Sequence, residues 1–74
     1  MELRKFLKTN QIFLCNFRVK IYFDTDDGFI YVYDDVFNYI SIMNELSDYE
    51  IYFVNLDFFN NICFISLFRK DNEI

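Results

Sequence analysis

The 74-residue chain predicts a small single-domain α+β fold: a short N-terminal helix, then β-hairpin, helix and β-hairpin, with an antiparallel sheet packed on one main helix. Three observations predict it. Cys15, Phe17, Val19, Ile21 and Phe23 alternate with Asn16, Arg18, Lys20 and Tyr22, the period of a strand with one buried face. Apolar residues then change to helical spacing over 36–46, and two further β-rich runs follow at 49–56 and 62–68. A chain of 74 residues supplies one core, so residues 1–74 are read as a single domain of modest stability.

Leu3, Phe6 and Leu7 place a two-turn helix over residues 2–8, too short to be stable without packing. The first strand is expected over residues 12–23. Residues 24–28 form its turn, with Gly28 where a positive φ is needed, and 29–33 return as the second strand. Asp34 and Asp35 are expected to cap the main helix, since a carboxylate there accepts orphan amide protons and favours the positive end of the helix dipole. Val36, Phe37, Ile40 and Met43, with Leu46 or Tyr39, would form its apolar stripe, and Ser47 and Asp48 would end it. The last two runs form the second hairpin around residues 57–61, where Asn60 and Asn61 tolerate turn geometry.

Charge is segregated along the chain. Residues 21–68 hold nine carboxylates and no lysine, arginine or histidine, whereas five of the seven cations (Arg4, Lys5, Lys8, Arg18, Lys20) lie in the first 20 residues. Such an array attracts cationic protein surfaces and repels nucleic acid. The candidate partner-binding residues are therefore Asp24, Asp26, Asp27, Asp34, Asp35, Glu45, Asp48, Glu50 and Asp57. Carboxylates two apart on a strand share a face at about 6.8 Å, a spacing comparable to that of successive DNA phosphates. The 54% hydrophobic content argues against a disordered acidic tail. With 11 Phe and 6 Tyr, there are more aromatics than so small a core encloses, so some are expected at an interface. That surplus, with hairpin edges unguarded by proline, predicts a homodimer.

Catalysis is not expected. There is no histidine to titrate near neutral pH or to activate a cysteine, and carboxylate-only sites rest on larger scaffolds with a cleft. No cofactor or metal is expected: Asp24, Asp26 and Asp27 before Gly28 resemble a calcium loop, but counted from Asp24 the glycine falls fifth instead of sixth and the twelfth residue is Asp35 instead of glutamate. Cys15 and Cys63 match no metal spacing and are read as free thiols packing as small hydrophobes, which points to a reducing, cytoplasmic setting. Neither a signal peptide nor a membrane helix is expected. Arg18 and Lys20 on the exposed face of a strand are read as partners of acids rather than as a nucleic-acid patch.

The absence of Ala, Pro, Trp and His beside abundant Phe, Tyr, Ile, Asn and Asp is the residue set of AT-rich codons, common in bacteriophage chains. In size, acidity and Phe, Tyr, Ile and Asn richness, the chain resembles the small phage-encoded proteins that disable a host DNA-binding enzyme by mimicking DNA. Within that group it is most similar to the staphylococcal phage inhibitors of the bacterial sliding clamp. The resemblance implies a non-enzymatic inhibitor in the host bacterial cytoplasm, seated on a positively charged DNA channel and preventing its loading on DNA. It transfers no residue, so the nine acids are this chain's own. Gln11, Leu14 and Phe17 in QIFLCNF resemble the short motif that enters a sliding-clamp peptide pocket, an alternative route to the same partner, although in a strand Phe17 would face the core and Leu14 the opposite side. Two other classes fit an acidic aromatic chain: an immunity or antitoxin protein neutralising a basic partner, and a structural interaction module.

Overall fold

The computed structural model describes residues 1–69. The elements are α1 (Leu3–Thr9), α2 (Gln11–Leu14), β1 (Arg18–Thr25), β2 (Gly28–Val36), α3 (Tyr39–Leu46), β3 (Ile51–Asp57) and β4 (Ile62–Leu67). The α+β class and the helix, hairpin, helix, hairpin order are those expected from sequence, with α2 added.

The sheet order is β2-β1-β4-β3. Each hairpin is antiparallel, but β1 and β4 pair in parallel at the centre, from Arg18 beside Ile62 to Tyr22 beside Ser66. The sheet is therefore mixed rather than purely antiparallel. Parallel strands need a crossover. Here α3 carries the chain from the β2 edge to the β3 edge, and the second hairpin folds inward to place β4 beside β1.

All helices lie on one side. Leu3, Leu7, Leu14, Ile42 and Leu46 form one cluster with Val19, Ile21 and Phe23 of β1 and Cys63, Ile65 and Leu67 of β4. The alternation in residues 17–23 thus marks the core face of β1. The N-terminus is tied down by backbone bonds: the Leu3 N–H donates to the Tyr49 carbonyl at 3.0 Å, and the Ile51 N–H to that of Met1 at 2.7 Å.

Four local expectations change. The strand expected from residue 12 begins only at Arg18, because residues 11–14 form a helical turn that buries Leu14 and Phe17 together. Asp34 and Asp35 do not cap a helix. They extend β2, opposite Lys20 and Val19, and the Nε of Arg18 donates to Asp34 Oδ1 at 2.7 Å while Nη2 reaches the Asp34 carbonyl at 3.1 Å. The helix starts later, at Tyr39, where Asn38 Oδ1 accepts from the Ser41 N–H at 3.0 Å. Its buried pair is consequently Ile42 and Leu46, one turn apart, while Val36 and Ile40 are exposed. Of the cysteines, Cys63 is buried, which pushes its thiol up to about 11, whereas Cys15 is exposed and donates to the Ile12 carbonyl.

Two strand irregularities set side-chain direction. In β2 the register passes from Tyr33 beside Ile21 to Tyr31 beside Tyr22, leaving Val32 as the extra residue of a bulge. Tyr33 therefore packs toward the core and Tyr31 points to the opposite face. In β3 the same shift falls at Tyr52 and puts Phe53 beside Ser66. The turn positions behave as expected, with Gly28 at φ 130° and Asn61 at φ 56°.

The packing of α2 gives a direct test. Leu14→Ala is expected to destabilise the protein by about 3 kcal/mol through a core cavity, and Ile12→Ala, at an exposed position two residues away, by less than about 0.5 kcal/mol. Urea unfolding followed by circular dichroism measures both; equal effects would contradict a buried Leu14.

Candidate functional site

The acids fall into two groups because the sheet has two ends. β1 runs parallel to β4 and β3 antiparallel to it, so the end of β1 and the start of β3 lie together. That end gathers Asp24, Asp26 and Asp27 of the first hairpin with Asp48 and Glu50 ahead of β3, and Glu2 is bridged to Glu50. Glu50 is paired with the N-terminal ammonium at 3.2 Å. A shallow depression of about 310 Å³ is lined there by Glu2, Arg4, Ser47, Asp48, Tyr49 and Glu50. Asp34, Asp35 and Asp57 occupy the opposite end of the sheet, and Glu45 is exposed on α3. The nine carboxylates thus do not form one row.

Their surroundings differ as well. Asp24 lies at the edge of the helix-free face, where the Oγ of Ser66 donates to its Oδ2 at 3.1 Å. Asp34 is engaged by Arg18, the pairing with the hairpin partner expected for that cation. Asp35 turns back on its own strand and accepts from the Val36 N–H at 2.7 Å. Asp57 shapes the second hairpin turn, accepting from the Asn60 side chain at 2.9 Å and the Asn60 N–H at 3.1 Å. Those bonds, the side-chain one foremost, hold its carboxyl below the usual carboxylate range. Asp57 is a structural residue of the turn.

The QIFLCNF route closes in the folded chain. Gln11 is exposed, but Leu14 is 0% and Phe17 7% exposed, so neither can enter another protein's pocket without unfolding α2. Among the described residues, no group of three or more acids or cysteines is placed to hold a metal ion. No helix of the described residues is long and apolar enough to cross a membrane.

The structure adds a surface that the sequence leaves scattered. Residues paired across a register share a face, so Lys20 and Tyr22 of β1, Phe29 and Tyr31 of β2, Phe53 and Asn55 of β3 and Phe64 of β4 all project from the side without helices. Tyr22, Phe29, Tyr31, Phe53, Asn55 and Phe64 line a depression of about 240 Å³. Tyr22 stands at its centre, with ring centroids 5.0 Å from Phe29 and 5.6 Å from Tyr31. Burial raises the Tyr22 phenol above its ordinary value, and the negative charge of Asp24 adds to the effect. The alternation of Arg18, Lys20 and Tyr22 opposite the core residues of β1 is the one sequence signal for this face; Phe53 and Phe64 join it only through the pairing of β1 with β4. A second exposed apolar group, Ile12, Phe13, Phe58 and Phe59, lies at the end of the sheet away from the first hairpin turn.

No family model, no curated protein and no solved structure matches this chain.

The Asp57 turn carries a pH dependence of known sign. Its folded value is depressed, so the stabilisation is present above the ordinary carboxylate value and lost as pH falls through the lower folded value. The Asn60 amide resonance is expected to keep its folded position at the ordinary carboxylate value and to move toward its unfolded position only at lower pH, and Asp57→Asn to remove that titration. An Asn60 amide indifferent to acid in the parent chain would contradict the turn's dependence on the carboxylate.

Proposed function

We propose that this chain is a phage-encoded, non-enzymatic binding protein whose acidic end occupies the positively charged DNA-binding channel of a host replication protein, the DNA polymerase sliding clamp, and blocks its loading on DNA. The observation that carries this reading is the convergence of Asp24, Asp26, Asp27, Asp48 and Glu50 on one end of the sheet. These charges belong to a folded scaffold, so little ordering entropy is lost when they meet a cationic groove. A groove evolved for phosphates releases counterions on receiving them, as it does with DNA. The composition-level resemblance to phage inhibitors of the clamp supplies the target. Asp34 at the far end and Glu50 at the acidic end are both ion-paired and Asp57 is committed to its turn, so the reading leans most on Asp24, Asp26, Asp27 and Asp48.

Competition tests the reading. Saturating a purified bacterial sliding clamp with this protein is expected to abolish loader-dependent loading on primed DNA. Asp26→Asn, Asp27→Asn and Asp48→Asn combined should weaken clamp binding about tenfold at low salt and flatten its salt dependence. A clamp that loads normally when saturated, or affinity unchanged by the triple substitution, would sink the proposal.

The protein acts as a homodimer in this reading, joined along the β3 edge, which carries no charge from Ile51 to Leu56, whereas Asp34 and Asp35 guard β2. Light scattering should return twice the mass of one chain, and a concentration-independent monomer would refute it.

A further inference from the structure

We infer that the helix-free face of the sheet holds a binding site for an arginine side chain of a partner protein, built from the rings of Tyr22, Phe29 and Phe53 and the carboxylate of Asp24. The inference rests on the preceding reading only in taking the partner's surface to be basic. Three features of this face point to this ligand. The depression measures about 240 Å³, below the usual range for drug-sized ligands and suited to one long side chain. Its walls are aromatic, and ring faces attract cations. Asp24 shares this face with Tyr22, stands directly opposite Phe29, and accepts from the hydroxyl of Ser66, the residue paired with both Tyr22 and Phe53.

The chain's own chemistry shows how these rings are used. The Nζ of Lys20 lies 5.9 Å from the Tyr31 ring centroid and 6.0 Å from that of Phe64, so two of the rings that line the depression already face a cation. Lys20 and Asp24 are four residues apart on β1, about 13 Å along the strand. The Lys20 ammonium, however, extends over Tyr31, whose ring centroid is 5.6 Å from that of Tyr22 and 6.4 Å from that of Phe29, so a second cation there is held against its repulsion by the Asp24 carboxylate. The part of the depression nearest Asp24 and Ser66 in the strand register is bounded by Tyr22, Phe29 and Phe53. A guanidinium fits it better than an ammonium, because its plane can lie on a ring while its N–H edge meets the carboxylate. A phosphate or nucleotide in the same place would meet Asp24, with Asp26 and Asp27 just beyond.

The test needs no partner protein. The intact chain is titrated with N-acetyl-arginine amide, and in parallel with the neutral isostere N-acetyl-citrulline amide, while ring-proton resonances are followed by NMR. Arginine amide is expected to shift the Tyr22 and Phe29 rings saturably, and citrulline amide to leave them nearly unmoved. Asp24→Asn, and separately Phe29→Leu at an exposed position, should each weaken binding about threefold or more with the melting temperature unchanged. Equal response to citrulline amide, shifts spread over distant sites such as Glu45 and α3, or full affinity in both variants would overturn the inference. Because the probe is arginine amide alone, a failure to block clamp loading with arginine binding intact would refute the proposed function and leave this site standing.

Discussion

The backbone pairing of β1 with β4 is the constraint on which the rest of the structure depends. Each hairpin closes locally through a short turn, but neither alone buries enough apolar surface to stand in water. Their parallel junction fuses them into one sheet with Val19, Ile21, Cys63 and Ile65 buried at its centre. It also determines what is brought together: the first hairpin turn lies at the same end as residues 48–50, and Tyr22 is level with Ser66 and Phe53. Both the acidic end and the aromatic face follow from that register.

A layer of helices on one side leaves the other side of the sheet to solvent. A chain of 74 residues has too little length to cover both faces, and aromatic side chains remain outside. Full burial of one such side chain is worth about 1.5–3 kcal/mol, so a set of exposed rings is a sizeable stabilisation held back from folding. Contiguous apolar surface of this kind marks places where proteins meet other molecules. On this face it is broken by Lys20, Asp24 and Asn55, which give the surface charge and direction as well as area.

The acidity of the chain takes on a different meaning in three dimensions. Nine carboxylates in an uninterrupted cation-free stretch of sequence become a concentrated group of five, a group of three near the far end, and one on α3. Arg18, from the basic N-terminal stretch, offsets the far group by joining Asp34 across the hairpin.

Local periodicity and turn chemistry made much of the fold legible in the sequence. The alternation through Val19, Ile21 and Phe23 determined a strand and its buried face, Gly28 and Asn61 marked backbone positions with positive φ, and the apolar run in Ile62–Leu67 read as a strand. The segregation of charge was equally plain. Residues 12–17 read as the start of the first strand, yet a short apolar run satisfies either period, and only the core that takes Leu14 and Phe17 together selects the helical turn. Asp34 and Asp35 have the chemistry of helix caps, but a longer ladder with β1 and the fork of Arg18 hold them in β2, which moves the helix start to Asn38. Strand order, the parallel centre and the aromatic depression were decided by tertiary structure alone, since each depends on which of two finished hairpins meets the other, and no pattern within either one records that choice.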